Sequence, residues 1–201
     1  MVTWFLFDIG NTLIRLAYER VLENICNDAA ITRDDLVEML EEPGGYRDME
    51  RGAVKFRDFY DFLGEKAGYR GSLHDLQTIW SDFFDGIVPG MEDLLDRVRD
   101  RYRVAFLTNS NEIHCELIPR QFASLFRKED RFIFSHRFKV AKPDPEIFRR
   151  SLELIGAPAP QVVFIDDMLE NVHGAQSVGI RSFQFIDAES LTRRLTDEGL
   201  L

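Results

Sequence analysis

"WFLFDIGNTL", Trp4 to Leu13, runs four apolar residues straight into an acid and turns at once on Gly10, Asn11 and Thr12. Four such residues bounded by a turn read as a short buried strand. An aspartate at its tip is costly unless something balances the charge. Alone, Asp8 reads equally well as a turn-forming aspartate, so its role depends on what else the chain brings to it.

A second stretch repeats the pattern. "VVFIDDMLEN", Val162 to Asn171, carries an apolar strand into Asp166 and Asp167. Adjacent carboxylates repel each other. A helix N-terminus relieves part of that repulsion, and a helix pattern follows from Met168. A hard cation relieves more. If the two strand tips are neighbours, three carboxylates meet, and an all-oxygen set with no His or Cys suits Mg²⁺. "RVAFLTNSN" ends a third strand on Thr108 and Asn109, whose donors suit an anionic oxygen or simply cap a helix. "VAKPDPEIF" supplies a cation. Lys142 precedes Pro143, which keeps its backbone extended, and Pro145 stands where a helix begins. Asn171, about one helical turn past the acidic pair, is placed to hold Asp167 or Lys142. His114 reads as a surface histidine.

Strands are predicted at 4–8, 103–108, 162–166 and 181–186, with a weaker one at 131–134. Helical patterns lie between them at 91–100, 112–126, 145–155 and 168–178. The alternation predicts an α/β fold with a doubly wound parallel sheet. Residues 16–87 break the rhythm. They offer no convincing strand but four amphipathic helical stretches, at 18–30, 32–41, 54–67 and 72–84, separated by "PGGYRD" and "GYRG". We read a core of residues 1–15 and 88–201 with a helical cap, 16–87, inserted where α/β ligands bind. The aromatics of "FRDFYDFL" belong to the cap's own core. The polar end, "TDEGLL", is expected to fray.

Composition narrows the function. A net charge of −10 argues against nucleic acid, which calls for clustered Lys and Arg. No apolar run is long enough to cross a membrane, and no signal-peptide pattern opens the chain. Two cysteines make no disulfide framework, so a cytoplasmic protein is expected. A homodimer is compatible with these features.

Taken together, "FDIGNTL", "FLTNSN", "AKPDPEIF" and "FIDDMLENVHGAQSVGI" resemble, in order, the four motifs of the haloacid dehalogenase (HAD) superfamily, over nearly the whole chain. The resemblance implies a Rossmann-like sheet with the small helical cap. It implies that Asp8 attacks a phosphoryl group to form an aspartyl-phosphate that water hydrolyses. Mg²⁺ would be held by Asp8, the Gly10 carbonyl and the Asp166–Asp167 pair, with Asp167 the more direct ligand. Gly10, Asn11, Thr108, Asn109 and Lys142 would bind the phosphate, Lys142 would also offset the carboxylates, and Asn171 would support them. The substrate would be a small phosphorylated metabolite, for example a sugar phosphate.

One position departs from the pattern. Family phosphatases usually carry a second aspartate two residues after the nucleophile, as general acid and base, and here that residue is Gly10. Losing such a group typically costs on the order of 10² to 10⁴ in rate. The "FDxGN" opening is similar to that of sugar-phosphate phosphatases that work without it, so activity is expected. Three other readings stand beside this one. A haloacid dehalogenase would use Asp8 against carbon without metal, but Asp166 and Asp167 would then repel its anionic substrate. A phospho-accepting receiver module would place its acidic pair after the first strand. A catalytically weak HAD protein would act only as a binding module.

Overall fold

The computed structural model describes residues 1–201. Its centre is a five-stranded parallel sheet in the order β5-β4-β1-β6-β7. The elements run β1 (Trp4–Phe7), β2 (Ile14–Leu16), α1 (Tyr18–Asn27), α2 (Arg33–Leu40), α3 (Tyr46–Glu50), α4 (Phe56–Ala67), α5 (Leu73–Ser81) and β3 (Phe84–Ile87). They continue with α6 (Met91–Arg99), β4 (Arg103–Thr108), α7 (His114–Gln121), β5 (Arg131–Phe134), α8 (Ser135–Phe138) and α9 (Pro145–Ile155). The chain closes with β6 (Val162–Asp166), α10 (Leu169–Ser177), β7 (Arg181–Gln184) and α11 (Ala188–Asp197).

Each central strand is buried on both faces, which is why it reads as an apolar run rather than an alternation. In β1, Phe5 and Phe7 join the larger core cluster, while Trp4 and Leu6 join the smaller one with Ile147, Phe148 and Ala175. Parallel register sets Phe7 opposite Phe106 on β4 and Ile165 on β6. The ends of β1, β4 and β6 therefore finish level, and Asp8, Thr108–Asn109 and Asp166–Asp167 emerge at one edge. The chain winds from β1 to β4 and β5, then crosses to β6 and β7. That reversal beside β1 is where open α/β sheets form a ligand crevice.

The sequence reading of 16–87 needs two corrections. β2 and β3 pair antiparallel, with Ile14 opposite Ile87 and Leu16 opposite Phe84. This two-stranded ribbon frames the insert, and Arg15 ties it by donating to the carbonyls of Asp85 and Ile87. The "PGGYRD" break also holds the start of a helix, α3, with Gly45 as its N-cap. The helices themselves follow local signals. Ser72 and Asp75 form a reciprocal cap on α5, Thr32 caps α2, and α4 ends at Gly68 with φ 65°. Val21, Leu36, Phe59, Leu63 and Trp80 of the insert belong to the same apolar cluster as Phe5 and Phe7 of the sheet.

Two further expectations fail outside the insert. The helix predicted at 112–126 stops at Gln121. Pro119 lies inside α7 and withholds an N–H, and a 3₁₀ turn over Ala123–Leu125 follows. The C-terminus does not fray. Asp187 caps α11 through the Ser190 N–H, Leu191 and Leu195 are buried, and the Leu200 N–H closes onto the Leu195 carbonyl with Leu200 itself buried.

Candidate active site

Lys142 sits where the three strand tips meet. Its ammonium lies 2.5 Å from Asp8 Oδ1 and 2.6 Å from Asp166 Oδ2, and all three side chains are almost entirely enclosed. The turn that aims it is held by Asn109. The Asn109 side chain accepts from the Lys142 N–H at 2.9 Å and donates to the Lys142 carbonyl at 3.0 Å. Asn109 was expected to offer its amide to phosphate, but both ends of that amide are engaged by the lysine backbone. α9 begins just beyond, with Asp144 as N-cap and Pro145 in its first turn.

Asp166 and Asp167, adjacent in the chain, have different surroundings. Asp166 is fully buried, and its Oδ1 accepts from Asn171 Nδ2 at 2.8 Å and from the Met168 N–H at 2.9 Å. With Lys142 on Oδ2, both oxygens of Asp166 are engaged. Asn171 thus holds Asp166, not Asp167 or Lys142 as its spacing suggested. Asp167 is half-buried and pairs with no other side chain, so its carboxylate faces the cleft. One carboxylate oxygen each from Asp8, Asp166 and Asp167 can be found within 4.8 Å of one another.

The charge here does not balance. One ammonium faces three carboxylates, a deficit of two. Burial, the largest influence, raises the Asp8 carboxyl to about 8; Lys142 opposes this, and Asp166 and Asp167 add to it. Asp167 is also raised, by burial and then by Asp166. Burial alone would lower Lys142, but the Asp166 and Asp8 carboxylates outweigh it and hold the ammonium charged. A divalent cation cancels a deficit of two, and this donor set is all oxygen. The Gly10 carbonyl adds another free oxygen, since it accepts no hydrogen bond within the protein.

The same loops present unpaired donors. The backbone N–H groups of Ile9, Gly10 and Asn109 make no hydrogen bond within the protein. Asn11, at φ 50°, lines the cleft and folds its side-chain oxygen back onto the Leu16 N–H at 3.1 Å, which helps to shape the turn. Thr108 is buried and lines the cleft. The cleft, about 430 Å³, is walled on the other side by the insert, through Tyr18, Tyr46 and Glu50 among others.

Sequence reasoning placed the insert over the ligand crevice but named none of its cleft-lining residues, and it misplaced one histidine. His114 is buried, not on the surface. Its ring lies among Trp80, Phe83 and Phe84, with Nε2 3.0 Å from the Trp80 carbonyl and Nδ1 3.2 Å from the Asn111 amide. Burial lowers it to about 4, so it stands neutral as a link between core and insert. The apolar residues on 80–84 were legible, but their contact with position 114 was not.

The chain is similar to several known proteins in sequence and fold. D-ribitol-5-phosphate phosphatase of Bacteroides thetaiotaomicron is 22% identical over 189 residues, covering 92% of each chain. Glyceraldehyde 3-phosphate phosphatase of Pyrococcus abyssi is 29% identical over 92% of this chain and 82% of its own. A HAD family enzyme of Bacteroides thetaiotaomicron, solved in complex with magnesium and inorganic phosphate, superposes with a TM-score of 0.82 at 28% identity over 96% of this chain and 99% of that one. The family model for haloacid dehalogenase-like hydrolases matches residues 2–179, a span that takes in all three strand tips, Lys142 and the whole insert, and the chain belongs to that family.

Proposed function

We propose that the protein is a Mg²⁺-dependent phosphatase that hydrolyses a small phosphorylated metabolite, of the sugar- or polyol-phosphate kind, through an aspartyl-phosphate on Asp8. The observation that carries this is the gathering of Asp8, Asp166 and Asp167 within 4.8 Å around a single bridging lysine. The names of the two phosphatase relatives point to the same substrate class.

In this reading Asp8, Asp167 and the Gly10 carbonyl hold Mg²⁺, and Asp166 serves chiefly to fix Lys142. Bound there, the ion neutralises charge on the carboxylates and on the phosphoryl oxygens. The N–H groups of Ile9, Gly10 and Asn109, the Thr108 hydroxyl and the Lys142 ammonium receive the remaining phosphoryl oxygens. These donors are fixed before substrate arrives, and such preorganised charge stabilisation dominates phosphoryl transfer. Lys142 opposes the rise of the Asp8 carboxyl and aims it, so that its free oxygen attacks phosphorus in line with the leaving group. Asn109 acts through Lys142 by fixing its backbone. Residues 16–87 form a cap that encloses the leaving group and sets specificity, on a core of residues 1–15 and 88–201.

The test is hydrolysis of p-nitrophenyl phosphate. Turnover requires Mg²⁺, stops with a chelator, and is lost in Asp8→Asn. The same chelator experiment separates the dehalogenase reading, in which Asp8 attacks carbon and no metal takes part. Two carboxylates beside Asp8, with Lys142 alone and no metal ion to balance them, would repel a haloacid anion, and this favours the phosphatase.

A further inference from the structure

Position 10 offers no acid. Gly10 has no side chain, and Leu16 Cδ1 packs beside it, 2.9 Å from where a Cβ would stand. If the phosphatase reading holds, the proton for the leaving oxygen has to come from another residue. Besides Asp8 and Asp167, three carboxyls line the cleft: Glu41, Glu50 and Glu170. Glu41 is exposed and paired with Arg47, and Glu170 is exposed. Glu50 is half-buried and forms no ion pair within bonding distance.

Glu50 is also well placed to stay put. It ends α3, and its carbonyl accepts from Ser135 Oγ at 2.5 Å, while that oxygen accepts from the Ser110 N–H at 2.9 Å. Two residues on, the Gly52 carbonyl accepts from Lys139, and a Cβ at Gly52 would lie 2.2 Å from the His136 carbonyl oxygen. The end of α3 is thus packed on α8, and the Ser135 hydroxyl links it to the Ser110 N–H in the loop that follows Thr108 and Asn109.

We propose that Glu50 is the general acid and base of the reaction, taking the place of the side chain absent at position 10. In the first half, an Asp8 oxygen bonds to phosphorus, the P–O bond to the leaving group breaks, and that oxygen takes the Glu50 proton. The products are a free alcohol, an aspartyl-phosphate and a Glu50 carboxylate. In the second half, Glu50 takes a proton from water as the water oxygen bonds to phosphorus. The bond to Asp8 breaks, phosphate leaves, and both carboxyls return to their starting states.

The surroundings suit a group that must hold and release a proton near neutrality. Burial, the largest influence, raises the Glu50 carboxyl to about 7, against lowering by the Tyr46 hydroxyl, Arg47 and Lys142; Glu41 adds to the rise. Tyr18, on α1, faces the same carboxyl. An acid and base tuned close to the working pH is the efficient choice.

The experiment compares two esters that differ in leaving group. Phenyl phosphate needs its leaving oxygen protonated, and p-nitrophenyl phosphate does not. Glu50→Gln is expected to lower kcat/KM for phenyl phosphate by on the order of 10² to 10⁴ and for p-nitrophenyl phosphate by less than about tenfold. In the wild type, kcat/KM for phenyl phosphate should fall above about pH 7, and that limb should be missing for p-nitrophenyl phosphate. Equal losses on both esters in Glu50→Gln, or a shared limb in the wild type, would overturn the assignment. The wild-type profile decides the matter even if the variant does not fold. If the wild type hydrolyses neither ester with Mg²⁺, the phosphatase reading itself fails and takes this inference with it.

Discussion

Replacing Lys142 with methionine keeps the bulk of the side chain and removes its charge. The consequence can be worked from the geometry. The ammonium bridges Asp8 and Asp166 at 2.5 and 2.6 Å, and the three side chains are 2%, 8% and 0% exposed. Breaking a buried pair by deleting one partner costs about 3 to 5 kcal/mol, because the remaining charge is left without compensation. For a chain of this length each kcal/mol lowers the melting temperature by roughly 2 to 4 °C, so the variant should melt about 6 to 20 °C below the wild type at neutral pH. The loss should depend on pH. Without the lysine, Asp8 loses the main influence opposing its rise and moves further above about 8. A carboxyl raised on folding binds more protons in the folded state, so its presence lowers stability as pH climbs from the unfolded toward the folded value. Scanning calorimetry without metal should therefore show a larger deficit at about pH 8 than at about pH 5. A deficit below about 2 °C, or one equal at both pH values, would mean that the lysine does not balance these acids and would refute the reasoning.

Two other outcomes follow from the same geometry. Mg²⁺ at a hundredfold excess over its dissociation constant should stabilise the wild type by about 2.7 kcal/mol, a rise of roughly 5 to 11 °C in the melting temperature. Asp167→Asn should abolish most of that rise, and a retained rise would remove Asp167 from the ion's coordination. His114, lowered to about 4 by burial, binds fewer protons folded than unfolded between that value and its ordinary 6.5, so the fold should weaken as pH falls through that window. His114→Gln should flatten that slope in urea titrations, and parallel curves for the two proteins would show that position 114 does not titrate on unfolding.

The parts of the molecule that declare themselves in the sequence are those whose signals are local. β1, β4 and β6 are apolar runs because both faces of the sheet are covered, and each ends in a polar residue that the next turn needs. Pro145 and Gly156 bracket α9 by well-understood preferences. The ribbon of β2 and β3 is different. Its strands are three and four residues long and lie about seventy positions apart, so neither carries enough periodicity to be seen without its partner. α3 was hidden by Pro43, Gly44 and Gly45, which signal a turn and do start one, but the turn leads into a helix of five residues. α11 has the usual start and spacing in Asp187, Ser190, Leu191 and Leu195, but the polar "TDEGLL" at its end masks its apolar face.

At the site, residue types were legible and partners were not. Asp8, Lys142, Asp166 and Asp167 were marked by strand ends and by an ordered set of motifs. That Asn109 spends its amide on the Lys142 backbone, and that Asn171 reaches Asp166, are consequences of folding that spacing cannot distinguish from their alternatives. Glu50 carried no signal at all. It stands in a short helix within an insert, and its place over the cleft depends on Ser135, which is 85 positions away.

The central claim is that Asp8 carries the phosphoryl group. It is tested most directly by mixing the protein with p-nitrophenyl phosphate and Mg²⁺, quenching in acid within the first turnover, and mapping the peptides by mass spectrometry. The account predicts the mass of one phosphoryl group on the peptide that contains Asp8, removed by hydroxylamine as an acyl phosphate should be. Steady turnover with that peptide unmodified at every quench time, or with the phosphoryl group on another residue, would contradict it.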